Sequence, residues 1–92
     1  MNKQKVFTIT TGNVDIFRKE SREAAKFISS IEGFIAVHPH YPDGTLWCFD
    51  TLNHAKVARN KVKSKGAQVG THIMNAEIDY DKGELFVYDK AD

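Results

Sequence analysis

The chain has 92 residues, 41% of them hydrophobic and 27% charged, which is enough for one small core over residues 1–92. A single cysteine excludes an internal disulfide, and no apolar run approaches the ~20 residues of a membrane span. Net charge is +1, which excludes a globally basic nucleic-acid binder; the Met-Asn-Lys-Gln-Lys start lacks a signal-peptide apolar region, and the lone cysteine makes a reducing cytoplasm the expected location.

A phrase of glycine, alternating apolar residues, an aromatic and a charge occurs at Gly12 to Arg18, Gly44 to Asp50 and Gly83 to Asp89. Each copy reads as a turn followed by a strand. Residues 6–10 and 14–17 form the first expected hairpin about Gly12-Asn13, with Ile9 opposite Ile16. The alternative begins a long helix at Asn13, as in a ferredoxin-like βαββαβ domain. Against it stands the stretch from Arg18 to Glu23, which carries no apolar residue to continue a buried stripe.

Ser21 is the expected N-cap of the first helix, whose Ala24, Phe27, Ile28 and Ile31 fall on one face before Gly33 ends it. Residues 34–41 and 45–50 make the second hairpin, turning at Tyr41-Pro42-Asp43-Gly44. Thr51 or Asn53 caps a second helix that points Ala55, Ala58 and Val62 inward and stops at Gly66. Residues 72–80 and 84–88 make the third hairpin about Asp81-Lys82-Gly83. The expected order is ββαββαββ, an α+β domain with an antiparallel sheet and two helices.

The turn at Pro42-Asp43-Gly44 pairs His40 with Leu46, His38 with Cys48 and Ala36 with Asp50. That register puts His38, His40, Cys48 and Asp50 on one face, and Ile35, Val37, Trp47 and Phe49 on the other. Two imidazoles, a thiolate and a carboxylate are ordinary zinc ligands, with His54 or His72 as further donors, so a structural zinc ion is an expected cofactor. A two-residue turn at Asp43-Gly44 would instead move Cys48 to the face opposite the histidines. Cys48 lacks an orienting third group or oxyanion donors for thiolate catalysis, and no phosphate loop or nucleophile elbow occurs.

Charge is unevenly placed. Residues 52–76 hold five bases (Lys56, Arg59, Lys61, Lys63, Lys65) and no acid, whereas residues 77–92 hold six acids (Glu77, Asp79, Asp81, Glu84, Asp89, Asp92). Without a catalytic set, the expectation is a non-enzymatic protein-binding module. Its surface would be Glu77, Asp79, Asp81 and Glu84, competing for a basic channel on a larger nucleic-acid-handling enzyme. The alternative is nucleic-acid binding through the basic second helix. In its profile of size, class and missing catalytic set, the chain resembles the small accessory proteins of phages and mobile elements. Many of those act by stoichiometric binding to a host machine, CRISPR nucleases among them.

Overall fold

The structure, a computed structural model, describes residues 2–12, 19–41 and 44–92, with the side chains of residues 40 and 41 left out. The elements are β1 (Lys3–Thr11), α1 (Lys19–Ser29), β2 (Phe34–Tyr41), β3 (Gly44–Phe49), α2 (Leu52–Ser64), β4 (Met74–Asp79) and β5 (Glu84–Lys90). The five strands form one antiparallel sheet in the order β2-β3-β1-β4-β5. This is the expected α+β class. Leaving out β5, the βαββαβ order and the central β3-β1 pair are those of a ferredoxin-like layout, to which β5 adds an edge strand.

The strand expected over 14–17 lies outside the described residues. Within them, β1 has a neighbour on each side: Ile9 pairs with Trp47 of β3, and Val6 with Ala76 of β4. The helix start is corrected. Ser21 is not an N-cap but stands inside α1, which is already helical at Lys19. The apolar-free turn is tolerated because it is the exposed N-terminal turn, where Glu20 complements the helix dipole, and close burial begins only at Ile28.

The C-terminal end of α1 also differs from expectation. The helix stops at Ser29, and Gly33 serves the next connection instead. At φ 89°, its carbonyl accepts from Asp50 N (2.9 Å), joining the start of β2 to the end of β3. In α2 the reading holds: Thr51 Oγ1 accepts from His54 N, and Ala55, Ala58 and Val62 are buried. Gly66, at φ 88°, follows the C-cap Lys65.

Strand alternation divides the sheet between two apolar clusters. On the helix side Ile9, Trp47, Phe49 and Ile73 meet Ile28, Ala55, Ala58 and Val62. On the other side Val6, Leu46, Cys48, Ala76, Ile78 and Leu85 pack together. Thr8 shares that second face, between Cys48 and Met74, and its buried Oγ1 has no hydrogen-bond partner among the described residues. An unpaired buried hydroxyl forfeits its hydration, so Thr8→Val should stabilise the protein by about 1 kcal/mol. A thermal melt checks this, and a lowered midpoint would refute it.

Candidate functional site

The β2–β3 register differs from the expected one. His38 lies opposite Leu46 rather than Cys48, and Ala36 rather than His38 lies opposite Cys48. Tyr41 pairs with Gly44 rather than Thr45, and an irregularity between His38 and Tyr41 adds one more position, which together shift the register by two; a second irregularity, between Phe34 and Ala36, lies beyond these pairs. Phe34 turns to the helix side, against the Trp47 and Phe49 rings at 6.4 and 5.9 Å between centroids. Ile35 is thereby moved to the second cluster, and Val37 is left exposed. Trp47 and Phe49 face the helices as expected.

Of the four expected zinc ligands, His38 and Cys48 therefore do not face each other, and the His40 side chain lies outside the described residues. Cys48 is fully buried in apolar surroundings that push its thiol up to about 12, so it stays protonated at neutral pH. Asp50 lies past the end of β3 with His54. Among the described residues no group of three or more His, Cys, Asp or Glu side chains is placed to hold a metal ion.

Asp50 and His54 form a pair that no motif announced. His54 Nδ1 lies 2.6 Å from Asp50 Oδ1, and Nε2 lies 3.8 Å from Glu32 Oε1. Their hydrogen bond holds the Asp50 carboxyl below its ordinary range and raises the His54 imidazole above its own. The only trace in the sequence is the i,i+4 spacing across the Thr51 cap. The contact also needs Gly33 beneath it: a Cβ there would come 2.5 Å from Asp50 Oδ1 and 2.6 Å from His54 Nδ1.

The bases of α2 do not act as one free surface. Arg59 Nη1 donates to Asp92 Oδ2 (2.7 Å) and to the Thr71 carbonyl (3.1 Å), while Asp92 Oδ1 accepts from the buried Ile73 N (3.0 Å). The guanidinium keeps the Asp92 carboxyl below its usual range. Lys65 Nζ sits 4.9 Å from the centre of the Phe27 ring. Lys56, Lys61 and Lys63 are exposed. A groove of about 850 Å³ runs beside Lys63 and Arg59 to His72, with Asp92 in its wall.

The acidic hairpin is reproduced, with Asp79 opposite Glu84 and Gly83 at φ 65°. Its four expected contact residues are unequal. Asp79 is 4% exposed, and its Oδ1 accepts from Asp81 N and Lys82 N, so its carboxylate shapes the turn. Asp81 accepts from Asn2 N, Glu77 lies 4.0 Å from Lys3 Nζ, and Glu84 is exposed.

Beside them are aromatics that the sequence reading left out. Phe86 lies opposite Glu77 on the helix-side face, and the Tyr88 hydroxyl donates to Glu77 Oε1 (3.3 Å). The helices pack chiefly over β1, β2 and β3, and on this part of the face Phe86 and Tyr88 are 40% and 59% exposed, while Tyr80, 51% exposed, donates its hydroxyl to Gln4 Oε1 (2.5 Å) on the opposite face. Alternation along β5 is enough to place Phe86 and Leu85 on different faces, but not to show that neither described helix covers Phe86. No protein-family model matches the chain, and no curated protein and no solved structure is significantly similar to it. No helix among the described residues is long and apolar enough to cross a membrane.

Proposed function

We propose that the protein is a non-enzymatic binding module that occupies a basic surface of a larger protein through its β4–β5 hairpin. One observation carries the reading: among the described residues, three of the five exposed large hydrophobics lie on this hairpin, Phe86 and Tyr88 on the face of Glu77 and Glu84 and Tyr80 on the other, with Asp81 in the turn. Exposed aromatics serve as anchors at protein interfaces, and surrounding acids steer a basic partner and fix its orientation. A channel that holds nucleic acid is a basic surface of this kind, so inhibition of a nucleic-acid-handling enzyme, as an anti-CRISPR-like inhibitor would act, is the favoured mode.

The test is a pull-down before and after nuclease treatment, followed by affinity measurement on the captured partner. Retention of one partner after nuclease supports the reading, whereas loss of all signal transfers function to nucleic-acid binding by Lys56, Lys61 and Lys63. Tyr88→Ala is expected to weaken the complex by about 2 kcal/mol, roughly thirtyfold. Joint reversal at Glu77, Asp81 and Glu84 should slow association and flatten its salt dependence. Asp79 is left unchanged, because its reversal would damage the turn. Unaltered affinity in both variants would rule the surface out.

A further inference from the structure

Among the described residues β2 and β5 are the edges of the sheet, each with one side that no strand meets, and the two differ. The β2 edge is blunted by Pro39 and by two irregularities. The β5 edge has neither over residues 84–87, where its register with β4 is regular.

The direction of the free groups follows from two hydrogen bonds. Tyr80 N donates to Asn2 O, so even-numbered positions of β4 point to β1, and Ala91 N donates to Ile73 O, so odd-numbered ones point to β5. In an antiparallel ladder this makes Asp79–Glu84 and Glu77–Phe86 the hydrogen-bonded pairs. The N–H and C=O groups of Leu85 and Val87 then face away from β4, and no strand among the described residues meets them.

We propose that β5 pairs antiparallel with β5 of a second copy of this chain, about a twofold axis at Phe86, joining the two five-stranded sheets into one. This register uses every outward group of Leu85 and Val87, since Leu85 lies opposite the partner's Val87 and the reverse. It continues the Leu85-containing apolar cluster across the axis on one face. On the other face Phe86 meets the partner's Phe86 at a non-hydrogen-bonded position, where cross-strand side chains are closest. Glu84 falls opposite the partner's Tyr88, so no like charges oppose each other over positions 84–88. The irregularity between Val87 and Lys90 and the turn at Gly83 confine pairing to this stretch. So short an interface is smaller than the ~1,600 Å² of a standard one, and the dimer is weak and concentration-dependent.

The inference does not rest on the proposed partner, because it is tested on the pure protein. Sedimentation or light scattering of the full chain from micromolar to millimolar concentration should show the mass rising towards that of two chains. Phe86→Lys, which sets two ammonium groups face to face, and Val87→Pro, which removes an outward N–H, should both remain monomeric. Phe86→Lys is at an exposed site and should melt close to the wild type, which separates loss of pairing from loss of folding. Under mild oxidation Phe86→Cys should form a covalent dimer and Leu85→Cys should not, with buried Cys48 taking no part. A wild type that stays at one-chain mass throughout, or equal cross-linking at positions 85 and 86, would overturn the proposal.

Discussion

Trp47→Ala is expected to remove about 3–5 kcal/mol of stability, the range for deleting a large buried aromatic. Small domains are stable by only about 5–15 kcal/mol in total, so the variant should be partly unfolded at ambient temperature. The reason is its position. Trp47 is buried on β3, one strand from the sheet edge, with its ring against Phe34 and among the residues that join both helices to the sheet. Its indole Nε1 also donates to Thr11 Oγ1 (2.9 Å), tying β3 to the end of β1. Trp47→Phe keeps most of the apolar contact and loses that bond, so its cost should be nearer 1–2 kcal/mol. Urea titration of both variants measures the difference. A cost below about 1 kcal/mol for Trp47→Ala would mean that this cluster does not hold the fold together.

Gly33→Ala is the second large effect, and it carries a pH signature. The residue is in the left-handed region at φ 89°, which costs a side-chain-bearing residue roughly 1–2 kcal/mol. A methyl group there must also displace the Asp50–His54 pair, because it would come 2.5 Å from Asp50 Oδ1.

In the wild type the raised imidazole of His54 gives stability that is complete below the ordinary histidine pKa and is lost as pH rises through the raised one. The lowered carboxyl of Asp50 gives stability that is complete above the ordinary carboxylate pKa and is lost as pH falls through the lowered one. Both contributions are fully present only between about pH 4 and pH 6.5. The wild-type melting temperature should therefore gain from the pair in that window and lose the gain on either side. In Gly33→Ala the whole curve should fall, with the smallest difference from wild type outside the window. His54→Gln should flatten the alkaline limb without the backbone penalty. A constant difference between Gly33→Ala and wild type at all pH values would show that the pair is not what the glycine accommodates.

Elements whose signals lie within a few residues were legible from the chain alone. In α2 the Thr51 cap, the inward Ala55, Ala58 and Val62, and the stop at Gly66 all follow from local rules. The β4–β5 turn follows from the left-handed Gly83 and from Asp79, whose side chain accepts bonds from the next amides. Trp47 and Phe49 were placed on the correct face because strand alternation has a fixed period of two. The same period could not fix the pairing of β2. A shift of two positions leaves every residue on its face, so His38 could stand opposite Leu46 or Cys48 without violating the pattern. The pairing of Tyr41 with Gly44 and the irregularity between Tyr41 and His38 decided between them.

The candidate surface was legible in its charges and hidden in its aromatics. The acids from Glu77 to Glu84 stand together in the sequence, but whether each is solvent-facing depends on what folds against it: Asp79 is buried in its turn and Glu84 is exposed. In the same way the α2 bases were visible as a run, while the removal of Arg59 into a bond with Asp92 joins positions 33 residues apart. Composition, caps, turns and alternation determined the α+β class, the limits of β2 and α2 and the position of the β4–β5 turn, because each acts through neighbouring dihedral angles and hydrogen bonds. The tertiary structure alone decided that β1 lies between β3 and β4, that the helices cover β1 to β3, and that β5 forms an edge with Phe86 and Tyr88 exposed. Those choices minimise exposed apolar surface and unpaired backbone over the whole molecule, a sum to which residues far apart in sequence contribute together.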